Sequence, residues 1–178
     1  MQEQGSQNSV NSDIAESVIS EKVTQFLTFQ LNGDVYGINI LNIKEIIDYG
    51  NITRVPMMTE FIAGVINLRG SVVPVVDLAL RFSQKSSEKT KRSSVVIVEV
   101  KDDEQEMEIG ITVDEVNEVL DILAGEIEPS PSFGTKIRTD FIEGMGKVDK
   151  QLLVLLNVEN ILAVEELSRL ESVQVDSE

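Results

Sequence analysis

FIAGVINLRGSVVPVVDL, residues Phe61–Leu78, is two short aliphatic runs joined through Arg69 and Gly70. Val and Ile dominate both runs, and β-branched side chains lose least on a pleated, half-buried surface, so each run reads as a strand. Gly70 tolerates positive φ, which lets the chain reverse tightly between Leu68 and Ser71. The stretch predicts a β-hairpin with a lone cation at its turn. Pro74 interrupts the second run and cannot donate to a ladder, so an edge strand or a bulge is expected there.

The hairpin has a second copy. FIEGMGKVDKQLLVLLNV from Phe141 aligns on it without gaps and pairs Gly64 with Gly144. YGINILNIKEIID from Tyr36 aligns likewise on IGITVDEVNEVLD from Ile109, matching Gly37 with Gly110, Glu45 with Glu118 and Asp48 with Asp121. Both matches recur in one order, so the chain holds two related halves, residues 25–82 and 93–162, joined by the polar stretch 83–94, SQKSSEKTKRSS. Two copies are too few for a solenoid. Several short strands per half suit a small barrel, whose closure removes exposed strand edges. The halves need not coincide with the barrels, since neighbouring copies can exchange a strand. The segment NILNIKEII fits a helix as well as a strand.

With 178 residues, 42% of them hydrophobic, the chain can bury a real core. Fifteen basic against 31 acidic residues give a formal charge of -16, whose field repels phosphate backbones and anionic headgroups, so no nucleic-acid partner is expected. Runs such as VVPVV and LLVLL fall far short of the ~20 residues that cross a bilayer, and MQEQGSQNSVN lacks the pattern of a secretory signal. A cytoplasmic protein without membrane insertion is the expectation. The chain has no His and no Cys, which removes serine–histidine triads, thiol nucleophiles and imidazole or thiolate metal sites. No metal or cofactor is expected.

Residues 1–22, rich in Gln, Asn, Ser and Glu, read as a disordered or weakly helical tail, with a short helix at DIAESVIS. The folded domain is expected over 23–164, with a helical end and tail over 165–178. Ile161, Leu162, Val164, Leu167 and Leu170 fall near helical spacing, as in a short closing helix.

Glu45 shares a strand face with Ile43 and Ile47, so its carboxylate faces solvent or has a partner. Arg69, in the hairpin turn, can supply that partner through its guanidinium fork. Two readings stand: a Glu45–Arg69 pair holding the turn against the strand, or two unrelated surface charges. Asp77 and Asp114, each just after an aliphatic strand, read as turn residues that bind backbone amides rather than as an acid pair. KDDEQEMEIG lacks the spacing of a calcium loop and reads as a solvated hairpin tip. Phe133, after two prolines in a polar loop, is either a lid on the core or an exposed contact.

Together, FQLNGDVYGINILNIKEII, FIAGVINLRGSVVPVVDL, VVIVEV, IGITVDEVNEVLDI and IEPSPSF resemble the CheW family of chemotaxis coupling proteins, from about Gln25 to Leu162. The resemblance implies an all-β fold of two SH3-like five-stranded barrels with a short C-terminal helix, and an adaptor without catalysis. Its implied partners are the cytoplasmic hairpin tip of methyl-accepting chemoreceptors, the regulatory domain of the histidine kinase CheA and, in array rings, other coupling proteins. These complexes would hold it at the inner face of the membrane. Carried over by position, Ile43, Glu45, Gly64, Arg69, Val116 and Val119 would face the receptor, and Asp48, Tyr49 and Thr53 the kinase. Glu128, Ser132 and Phe133 would make the ring contact, although Glu128 and Ser132 depart from the charges the family carries there. Two rivals are an adaptor fused to a receiver domain, for which only a short tail follows Leu162, and a small acidic ligand-binding barrel or carboxylate-dependent enzyme.

Overall fold

The structure, a computed structural model, describes residues 22–130 and 135–163. The first repeat forms β1 (Val23–Leu31), β2 (Asp34–Asn39), β3 (Ile43–Asp48), β4 (Ile62–Leu68), β5 (Ser71–Val76) and the one-turn helix α1 (Leu78–Arg81). The second forms β6 (Ser94–Asp102), β7 (Gln105–Val113), β8 (Glu115–Leu123), β9 (Ile127–Glu128), β10 (Ile142–Val148), β11 (Gln151–Leu156) and the one-turn helix α2 (Val158–Ile161). Four hairpins turn through two residues of positive φ: Asn32-Gly33, Arg69-Gly70, Asp103-Glu104 and Asp149-Lys150. That is the turn whose twist matches its flanking strands. KDDEQEMEIG is the β6–β7 hairpin tip, as its composition suggests.

The strands form two sheets, ordered β8-β1-β2-β11-β10-β9 and β3-β6-β7-β5-β4. Each repeat therefore lends its first hairpin to the other. Barrel A combines β1 and β2 with β8–β11, and barrel B combines β6 and β7 with β3–β5. The exchange involves a whole hairpin rather than a single strand, and the pairings correspond. Val75 lies parallel to Gly110 in barrel B and Leu155 to Gly37 in barrel A. Bulges fall between Ile62 and Gly64 and between Ile142 and Gly144. Barrel B closes where Thr53 and Val65 exchange backbone hydrogen bonds of 2.9 Å, and barrel A where Glu128 pairs with Met145.

The ambiguous NILNIKEII resolves into a 3₁₀ turn over Ile40–Asn42 followed by β3, with Asn39 Oδ1 accepting the Leu41 N–H at 2.9 Å. Along β3, half-buried Ile43, Glu45 and Ile47 alternate with exposed Lys44, Ile46 and Asp48, the two-residue period of a strand with one wet face. Pro74 departs from expectation, because β5 lies between β7 and β4 and not at an edge. Val65, opposite Pro74, directs both its N–H and its C=O to Thr53. The proline nitrogen therefore faces away from β4, one residue before the β7 pairing starts at Val75, and no ladder bond is lost.

Alternating side chains feed separate cores. Val73, Val75, Val95 and Ile97 fill barrel B, and Phe26, Ile122, Leu153 and Leu155 fill barrel A. Their neighbours Leu27, Phe29, Val76, Val96, Val98 and Leu156 turn the other way into one larger cluster shared by both barrels. An aromatic row runs through that cluster, with ring centroids 5.9 Å apart from Phe29 to Tyr36, 5.6 Å to Phe82 and 6.0 Å on to Phe141. Burial raises the Tyr36 phenol above its ordinary pKa. Separating the barrels would bare most of the buried apolar surface, so they form one cooperative unit.

α1 and α2 close the barrels in matching ways. Asp77 Oδ1 caps Leu80 N–H at 3.2 Å, and Asn157 Oδ1 caps Asn160 N–H at 3.0 Å, the expected role for a short polar side chain before a helical turn. Asp114 also binds a backbone amide, that of Asn32 at 2.8 Å. The linker is fastened through Asn32, whose side-chain amide donates to Gln84 Oε1 at 3.2 Å and to the Lys85 carbonyl at 3.0 Å. Val164, Leu167, Leu170 and the segment DIAESVIS lie outside the described residues.

Candidate docking site

β3 and β4 are the two edges of the barrel B sheet, and one charge pair crosses the gap between them. Arg69 Nη2 donates to Glu45 Oε2 at 2.6 Å, which decides between the two readings of these charges in favour of a pair. Its side chains are 81% and 25% exposed, and such pairs contribute about 0–1 kcal/mol to stability. The backbone bridge between Thr53 and Val65 closes the barrel; the ion pair shapes its rim.

Arg69 also sits in the left-handed region, at φ 53°. Asn32, Asp103 and Asp149 hold the same place in the other three turns, and short polar residues tolerate that conformation best. An arginine there costs roughly 1 kcal/mol locally. The turn is held regardless, since Asn67 Oδ1 accepts the Gly70 N–H at 3.0 Å. The turn so held presents the guanidinium at the rim.

Ile43 and Val116 occupy equivalent places in the two repeats, and both pack partly buried against the shared cluster. Both lie at the edge of the core that the two barrels share, at the seam between them. Val119 stands on β8, 49% exposed, at the place equivalent to Ile46 in barrel B. Gly64 is different: it is buried, and a Cβ there would run into the Thr53 carbonyl and the Ile52 side chain. It supports barrel closure from beneath the surface.

Asp48 and Thr53 line a cavity of about 480 Å³ with Ile52 and Asn67. Tyr49 is half-buried, with Lys89 Nζ 5.2 Å from its ring centroid. Glu128, in the barrel A position equivalent to Thr53, pairs with Lys147 at 2.8 Å, and that hydrogen bond raises the Lys147 pKa. Ser132 and Phe133 lie outside the described residues.

Sequence reading missed Arg81. Its guanidinium is buried between the Phe61 and Phe141 rings, 5.3 and 4.8 Å from their centroids, and Nε donates to the Ile161 carbonyl at 2.7 Å. The repeat carries the clue, since the residue aligned with Arg81 is Ile161, an apolar one. Here the first repeat grips the end of the second.

Two interlocked β-barrels around one shared core, with a charge pair across the edges of one of them, define a two-barrel β class of protein. Residues 25–166 match the CheW-like domain family. Chemotaxis protein CheW of Klebsiella aerogenes is 34% identical over 149 residues, 84% of this chain and 87% of that protein. Chemotaxis protein CheW of Bacillus subtilis is 36% identical over 139 residues, 78% of this chain and 86% of that one. The crystal structure of the scaffolding protein TtCheW from Thermoanaerobacter tengcongensis superposes with a TM-score of 0.71 at 36% identity, covering 79% of this chain and 88% of that one. The chain belongs to the CheW family, the non-enzymatic scaffold proteins of chemotaxis. The reading as a ligand-binding barrel or carboxylate-dependent enzyme is not favoured.

Proposed function

We propose that this scaffold couples chemoreceptor cytoplasmic tips to the histidine kinase CheA, with the seam between the barrels as its receptor-docking site. The observation that carries the reading is the Glu45–Arg69 pair at the barrel B rim, beside a seam lined by the equivalent residues Ile43 and Val116. A helical receptor tip lays apolar anchors at i, i+3, i+4 and i+7 into such a groove, and the charged rim sets its register. Asp48, Tyr49 and Thr53 would face the kinase regulatory domain, and Glu128, Ser132 and Phe133 a neighbouring ring member. Signal passes when receptor states differ in their contacts with the seam and so bias the kinase equilibrium. Among the described residues no helix is long and apolar enough to cross a membrane; attachment to the inner face would come through the receptors.

The test is a charge swap. Arg69→Glu places two carboxylates together at an exposed rim, and it is expected to leave the melting temperature within a few degrees while cutting co-purification with a receptor hairpin and CheA about tenfold or more. Adding Glu45→Arg should restore most of the loss. A folded Arg69→Glu protein with undiminished coupling would overturn the reading.

A further inference from the structure

Resting on the seam as the seat of a helical partner, we propose that the seam is electrically one-ended: Glu118 takes a lysine or arginine from the docked helix, while Arg69 takes one of its carboxylates. The internal repeat makes the barrels equivalents, so each rim residue of barrel B has a counterpart in barrel A. Glu118 is the counterpart of Glu45, and its backbone is held in place. Thr28 Oγ donates to its carbonyl at 2.8 Å and accepts its N–H at 3.2 Å.

The counterpart of Arg69 is Asp149, an exposed residue of the β10–β11 turn. In barrel B, then, the glutamate position binds a guanidinium that the chain itself supplies. In barrel A the chain supplies a second acid instead, and the Glu118 carboxylate has no ion pair or side-chain hydrogen bond among the described residues. The same site is built twice and filled once. A cation from a partner completes the empty copy. At the other end Arg69 uses one of its donors on Glu45 and is 81% exposed, which leaves N–H groups free for a carboxylate. An amphipathic helix with an acid toward barrel B and a base toward barrel A fits in one direction only.

The full-length chain is titrated with a chemoreceptor cytoplasmic hairpin fragment by calorimetry at low and high salt. Glu118→Lys, at an exposed position, is expected to weaken binding about tenfold at low salt, with the loss shrinking in ~0.5 M salt. Asp149→Arg, which puts an arginine at the turn position that Arg69 holds in barrel B, should weaken binding similarly and serves where the first variant folds poorly. Ile43→Asp reports on the seam itself. If Ile43→Asp abolishes binding while Glu118→Lys and Asp149→Arg bind as the parent does, the polarity is wrong and the seam stands. If none of the three alters binding, the seam reading falls and this inference with it.

Discussion

Truncating Phe141 to alanine is expected to cost about 3–5 kcal/mol and to lower the melting temperature by about 10 °C or more, with both barrels lost in a single transition. The ring is fully buried in the shared cluster. Phe82 packs on it at 6.0 Å, and the guanidinium groups of Arg81 and Arg138 lie 4.8 and 4.4 Å from its centroid. Its removal leaves a cavity and strips a stacking partner from a buried cation, and neither loss belongs to one barrel alone. Calorimetry with fluorescence probes placed in each barrel decides the matter. Two separated transitions would mean that the barrels are independently stable.

Gly64→Val should be nearly as damaging, for a different reason. A Cβ at this position meets the Thr53 carbonyl and Ile52, at the point where the bulge in β4 brings the closing strand against the barrel. The backbone carbonyl cannot move aside without breaking the paired 2.9 Å bonds between Thr53 and Val65. The expected result is a loss of about 2–4 kcal/mol and faster amide exchange at Thr53 and Val65, with exchange in barrel A changed less. Gly64→Val would act through the fold, which Arg69→Glu spares. A variant as stable as its parent would show that Gly64 lies at the surface after all.

Strands, hairpins and the internal repeat were legible in the sequence because each rests on a local signal: two-residue alternation, turn glycines and gapless self-alignment. The Glu45–Arg69 pair was legible as one of two readings, because the strand period put the acid on a half-buried face while the turn put the cation somewhere within reach. That the repeats trade chain was legible as a possibility, but not that a whole hairpin crosses, since the pattern of β1 and β2 is identical whichever repeat they join. Pro74 misled, because proline rules out a hydrogen-bonded place in a ladder but not a central strand whose facing residue bonds elsewhere. Arg81 lay hidden because its burial depends on Phe61 and Phe141, which only tertiary structure brings together. Gly64 could be named by position, but its role in closing the barrel needs the Thr53 carbonyl, which nothing local predicts.

The traded hairpins tie the two halves of the chain together independently of the stretch that joins them. Because β1 and β2 complete the sheet of the second half and β6 and β7 that of the first, a chain cut within residues 83–94 should remain one particle, its two pieces held by the exchanged hairpins rather than by the covalent link.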